Sequence, residues 1–190
     1  MLHEFSRSAL LLGEKGLEKL QQSRVIVFGV GGVGSFVAEA LARSGVGAID
    51  LVDKDTVSVT NINRQLVALH STVGKLKTEV MADRIRDINP ECKVTVHSCF
   101  FTSETSDRFD FSQYDYIVDA IDTVSAKLHL IEQAHAVSTP IISSSQGAET
   151  ASIVTTPTIL MTLEIMLKNC TQIPCRPPDQ SIPSFAFRIW

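Results

Sequence analysis

Seven residues carry the chemistry that can be read directly from this sequence: Gly29, Gly31 and Gly34 in "FGVGGVGS", then Asp53, Arg64, Lys77 and Asp122. The glycines satisfy G-x-G-x-x-G between a β-branched run and a helical stretch, which is the context that gives the pattern meaning. Glycine lets the backbone approach an anion closely, and the helix N-terminus that follows adds unpaired N–H groups and roughly half a positive charge. Phosphate binding is therefore expected; the plainer reading is glycines needed only for a tight turn and close helix packing. Asp53 ends the next strand, 19 residues beyond Gly34. A carboxylate there can accept hydrogen bonds from ribose hydroxyls, which fits adenosine in any nucleotide and disfavours a 2′-phosphate.

Glycines and Asp53 leave a nicotinamide dinucleotide and ATP both open. The cations favour ATP. Hydride transfer develops no phosphate charge, so a dehydrogenase has little use for Arg64 and Lys77. Attack of a carboxylate on the α-phosphate of ATP builds charge on the α-oxygens and on the departing pyrophosphate, and Arg, Lys and Mg²⁺ stabilise it. Asp122 offers a hard oxygen ligand for Mg²⁺. Taken singly, Arg64 and Lys77 read as solvated surface charges and Asp122 as a loop acid or helix cap. Together with the glycine loop they read as one site.

The elements that must position these residues alternate. Residues 9–22 read as a helix packing Leu10, Leu11, Leu17 and Leu20, and "RVIVFG" as a strand buried on both faces. Helical spacing of Val33, Val37, Ala38, Leu41 and Ala42 follows, stopped by Gly45. "AIDLVD" closes a βαβ unit. A helix over 74–88 carries Leu76, Val80, Met81, Ile85 and Ile88 on one face and ends before Pro90; a strand at 93–98 comes next. Then come a strand over 114–122, a helix over 125–137 with Leu128, Ile131 and Ala134, and a short strand at 140–145. This order predicts an α/β, Rossmann-like, doubly wound and mostly parallel sheet with flanking helices, over residues 1–148 with an N-terminal helical segment at 1–22.

Five of the seven prolines lie between 157 and 183, so residues 149–190 read as an irregular tail, with "TILMTLEIMLKN" as its one helical stretch. The 190 residues are 44% hydrophobic and 20% charged, and 17 basic against 21 acidic side chains leave a net charge of −4, ordinary for a soluble globular domain. Bulk charge advertises no nucleic acid, although a local basic patch could still hold RNA. Cys92, Cys99, Cys170 and Cys175 form no C-x-x-C pair, which argues against zinc and for free thiols in a reducing cytosol. No secretion signal or membrane span is evident, so a cytoplasmic location is expected.

The stretches "GVGGVGS", "LARSGVGAIDLVDKDTVSVTNINRQ", "VGKLKTEVMADRIRDINPE" and "DYIVDAID" resemble the ubiquitin-activating-enzyme-like superfamily of ATP-dependent adenylyltransferases. Within it, residues 3–148 are most similar to the tRNA threonylcarbamoyladenosine dehydratases. The resemblance implies that Gly29, Gly31, Gly32 and Gly34 face the ATP phosphates and that Asp53 holds the ribose. It implies further that Asn61, Arg64 and Lys77 engage phosphates, that Asp55 is a second carboxylate near the nucleotide, and that Asp122 binds Mg²⁺. Arg7 matches the arginine that reaches into a partner subunit's site, so a homodimer is implied. The implied reaction activates the carboxylate of threonylcarbamoyladenosine in tRNA as an acyl-adenylate and then closes a ring. A sulfur-relay or cysteine desulfurase partner also comes from the resemblance. A sulfur-carrier adenylyltransferase is the alternative enzyme, disfavoured by the missing zinc motif, and a non-catalytic nucleotide-binding remnant is the alternative of another class. After Ala148 the family pattern is not followed. A truncated or frameshifted chain with an exposed sheet edge, low stability and weak dehydratase activity is the expectation that follows.

Overall fold

A computed structural model describes residues 3–144. Five strands, β1 (Arg24–Phe28), β2 (Ala48–Val52), β3 (Lys93–His97), β4 (Tyr116–Asp119) and β5 (Ile141–Ser143), alternate with helices α1 (Ser6–Gln22), α2 (Gly34–Ser44), α3 (Lys77–Ile88) and α4 (Val124–Ala136). All strand pairs are parallel, in the order β3-β2-β1-β4-β5. The order reverses after β1, whose two neighbours are β2 and β4, and ligands in such sheets bind in the crevice at that switch. The expected doubly wound parallel sheet is what the chain forms.

Alternation along β1 shows why both faces need cover. Val25 and Val27 join one buried cluster with Leu41 of α2, Met81 and Ile85 of α3, and Leu20 of α1. Ile26 and Phe28 join the opposite cluster with Leu130 of α4 and Phe101, Phe109 and Phe111 from the β3–β4 connection. A run apolar at every position from Val25 to Phe28 is the consequence. Gly45 ends α2 in the left-handed conformation (φ 88°), as the sequence predicts.

Three expectations are corrected. Leu10 and Leu11 are exposed: α1 is kinked at Gly13 (φ 72°, ψ 164°), Leu17 and Leu20 beyond the kink are buried, and before it Leu12 packs partly buried against the same core. Leu128 also points outward; of the expected residues Ala134 is buried and Ile131 half-buried, and α4 buries Ala126 and Leu130 in line with Ala134, one turn apart. The strand expected over 114–122 spans only Tyr116–Asp119, so Asp122 lies in the turn that leads into α4 rather than on the sheet. The boundary near residue 148 and the stretch 149–190 lie outside the described residues.

Candidate functional site

Parallel strands flanked by helices bring helix N-termini to the carboxyl edge of the sheet, and here α2, α3 and α4 begin around one cleft of about 590 Å³. Gly29, Gly31, Gly32, Asp53, Asp55, Arg64, Lys77 and Asp122 all line it. Residues separated by up to 93 positions in the chain are thus gathered at one place.

The glycines divide by task. Gly29 has φ +86°, and a Cβ there would meet the Ala120 carbonyl oxygen at 2.5 Å; a Cβ on Gly34 would meet the Gly29 carbonyl oxygen at 1.8 Å. These two make the turn and the close packing of α2 on β1 possible, and Gly34 does not line the cleft. Gly31 and Gly32 do line it. A Cβ on either would have no contact closer than 3.6 Å with the protein, so what their bareness keeps open is the cleft itself.

Asp53 buckles the loop in place. Its Oδ2 accepts from the Val30 N–H at 2.8 Å and its Oδ1 from the Asp55 N–H at 2.8 Å. Each oxygen keeps a further lone pair for a ligand hydroxyl. Lys77, the first residue of α3, is no solvated surface charge: its side chain is only 8% exposed and its Nζ sits 2.9 Å from Asp55 Oδ2. A cation at a helix N-terminus opposes the helix dipole, and Asp55, half-exposed at the rim, offsets it. Arg64 is held by Nη1, which donates to the Thr60 carbonyl and to Asn63 Oδ1 at 3.0 Å each. The Asn61 side chain caps the short 3₁₀ turn Val59–Asn61 by accepting from the Ser58 N–H; it supports the turn before Arg64 and does not line the cleft. Arg7 is exposed on α1, away from the cleft.

Asp122 is exposed at the rim and makes no hydrogen bond or ion pair with any described residue. The chemistry of this donor set fits a Mg²⁺ ion. One free carboxylate is the usual protein contribution where phosphate oxygens and water complete the shell. Three carboxylates against two cations would otherwise repel the polyanion that Gly31 and Gly32 leave room for.

Several lining residues escape sequence reasoning. Gln65 is almost fully buried, and its Oε1 has no hydrogen-bond partner among the described residues. Phe101, Cys99 and His129 form an apolar end, with the His129 ring stacked on Phe101 at 5.7 Å between centroids. The position of 99–103 directly after a strand was the available signal, since ligands bind beyond strand carboxyl ends. Nothing in the local pattern pointed to His129. Of the four basic residues in 74–88, Arg84 pairs with Glu39, Arg86 with Asp83 and Lys75 is exposed, and Lys77 is the one that lines the cleft.

Fold and site define the class: a Rossmann-like domain whose glycine-lined cleft carries two cations and a carboxylate without a partner among the described residues. A model of the ThiF family matches residues 5–186, and the chain belongs to that family. It is 55% identical over 148 residues to the tRNA threonylcarbamoyladenosine dehydratase of Bacillus subtilis, covering 78% of this chain and 58% of that protein. It is 48% identical over 140 residues to the Escherichia coli protein of the same name, covering 74% and 52%. A crystal structure of the E. coli tRNA N6-threonylcarbamoyladenosine dehydratase in complex with ATP superposes with a TM-score of 0.73 at 40% identity, over 88% of this chain and 74% of that one. The chain spans about half the length of the curated relatives it matches.

Proposed function

We propose that this chain is the nucleotide-binding part of an ATP-dependent tRNA threonylcarbamoyladenosine dehydratase. The observation that carries the reading is the conjunction, around a glycine cradle, of Lys77, Arg64 and an Asp122 without a partner among the described residues, in a chain 55% identical over 148 residues to a dehydratase of that name. Gly31 and Gly32 receive the phosphates, and Asp53 takes the ribose with the lone pairs it has left. Arg64 and Lys77 meet the charge that grows on the α-phosphate and pyrophosphate when the substrate carboxylate attacks. Lys77 is already desolvated, which makes its charge count for more than in water. Asp122 would hold Mg²⁺, which would supply Lewis-acid stabilisation of the phosphate oxygens. The adenylated carboxylate then loses AMP as the ring closes, so that ATP hydrolysis drives a net dehydration.

The substrate is tRNA carrying threonylcarbamoyladenosine, and the setting is the cytoplasm, where both it and ATP are found. No described helix is long and apolar enough to cross a membrane. The homodimer rests on the family resemblance of Arg7; its exposure on α1 leaves it free to reach a second copy. A sulfur-relay or cysteine desulfurase partner has no residue assigned to it and rests on the resemblance alone.

Calorimetric titration of the full chain separates the nucleotides. ATP with Mg²⁺ is expected to bind well ahead of NADH, and tighter binding of NADH would sink the adenylation reading. Incubation with ATP, Mg²⁺ and modified tRNA, followed by nucleoside analysis, then tests for the cyclic product.

A further inference from the structure

Among the described residues Asp122 has no hydrogen-bond or ion-pair partner, so there its position follows from the backbone turn 119–123. That turn has few fixed points. The Ala120 N–H donates to the Phe28 carbonyl at 2.8 Å, which ties it to the glycine loop. The Ile121 N–H donates to Asp119 Oδ1 at 3.1 Å. Asp119 is completely buried, and a buried carboxylate holds its place only if paired.

Its partner is Lys127. The ammonium lies 2.7 Å from Asp119 Oδ2, and its other donors go to Ser143 Oγ at 3.1 Å and the Ser144 carbonyl at 2.8 Å. Ser143 Oγ in turn donates to Asp119 Oδ2 at 2.6 Å. The Lys127 backbone N–H also donates to the Thr123 carbonyl at 3.0 Å. One residue therefore grips both ends of the turn that carries Asp122, and through Ser144 it grips the β5 wall of the cleft as well. All three ammonium donors are used, and the side chain is 13% exposed, so Lys127 has no valence left for a ligand.

We infer that Lys127 is a positioning residue for metal binding: by clamping Asp119, Ser143 and Ser144 through its ammonium it holds the turn from which the Asp122 carboxylate would meet a phosphate-bound Mg²⁺. The inference rests on the proposed ATP·Mg²⁺ site. It assigns a task to a buried charge that lies outside the phosphate-facing residues. A lysine is suited to it because three converging acceptors match a compact ammonium, whereas a planar guanidinium presents its donors in a fixed fork.

The test compares the full-length chain with Lys127→Met and Lys127→Arg, reading ATP binding by calorimetry across a Mg²⁺ series, AMP binding, and thermal unfolding. AMP offers no pyrophosphate for a metal to bridge, so its affinity reports the cleft without Asp122. For Lys127→Met the Mg²⁺ concentration for half-maximal ATP binding is expected to rise by about tenfold or more, the range found when a group supporting a metal ligand is removed, with AMP affinity changed less than about twofold. Lys127→Arg, which keeps the buried charge paired and so protects folding, is expected to fall between. A purely structural lysine would lower the unfolding temperature and weaken AMP and ATP·Mg²⁺ in equal measure; that result, or unchanged Mg²⁺ dependence in Lys127→Arg and Lys127→Met, overturns the inference alone. A wild-type chain that fails to bind ATP·Mg²⁺ at all overturns the nucleotide reading and this inference with it.

Discussion

Two clusters of charged side chains sit on the same sheet, and they differ in whether their valences are filled. Asp50, in the middle of β2 and fully buried, receives Arg24 through Nε at 3.0 Å and Nη2 at 2.9 Å, His97 Nε2 at 3.0 Å and the Tyr114 hydroxyl at 3.1 Å. Arg24 also lies over the Tyr114 ring, 4.6 Å from its centre. None of these four side chains lines the cleft. Around the cleft, and among the described residues, Asp122 has no partner, Lys77 has a single half-exposed one, and Gln65 keeps a buried oxygen unpaired. Buried charge by itself is therefore poor evidence of function in this fold. Unfilled valence beside an open volume separates the site from the scaffold.

Substitution of Lys77 tests the open cluster with the largest expected effect. Lys77→Ala should lower the turnover of the ATP-dependent reaction by about 10²–10³, the usual cost of removing one preorganised stabilising group, while ATP affinity falls much less. Its partner Asp55 is half-exposed and can be rehydrated, so folding should be little affected. Steady-state kinetics beside a urea melt would show this. A variant that unfolds easily yet turns over normally when folded would move Lys77 into the scaffold class.

Asp50→Ala tests the closed cluster. Arg24 would lose its bidentate partner, and because its side chain is 34% exposed the cost belongs at the low end for broken buried pairs, about 3 kcal/mol. ATP binding by the folded fraction should be unchanged. Burial pushes the Asp50 carboxyl up, but the hydrogen bonds from His97, Arg24 and Tyr114 outweigh it and hold its pKa below the ordinary 3.8. With the folded value depressed, its contribution is complete above the ordinary carboxylate pKa and is lost as pH falls through the lowered one. Urea melts of the wild type should therefore weaken below about pH 4, and Asp50→Ala should flatten that part of the profile.

The open cluster was far more legible in the sequence than the closed one. Gly29, Gly31, Asp53, Arg64, Lys77 and Asp122 were readable because phosphate chemistry restricts residue types and parallel topology restricts where they fall. All six line the cleft. Asp50 was invisible: inside "AIDLVD" it reads as one more strand residue, since its partners come from β1, β3 and the segment before β4. Element order was equally legible, because alternating strands and helices of this length allow few alternatives. The facing of individual leucines was not. Leu10, Leu11 and Leu128 satisfy helical spacing but lie on the wrong side of a kink at Gly13 or of the true face of α4, which periodicity in a short helix cannot distinguish.

The cysteines give the mildest test of the same contrast between closed and open ground. Cys92 belongs to the buried cluster beneath α3, and burial pushes its thiol up to about 11, so almost no thiolate exists near neutral pH. Cys99 follows β3, is half-buried and lines the cleft beside Phe101. Iodoacetamide should therefore modify Cys99 and spare Cys92, as peptide mapping can show, with Cys170 and Cys175 read from their own peptides. Nucleotide at about ten times its Kd leaves roughly a tenth of the sites free, so ATP with Mg²⁺ should slow modification of Cys99 about tenfold. AMP, bound to the same degree, should protect equally if the adenosine lies at the apolar end with Cys99. Protection by inorganic triphosphate but not by AMP would instead put the phosphates there and reverse the orientation proposed for the cleft.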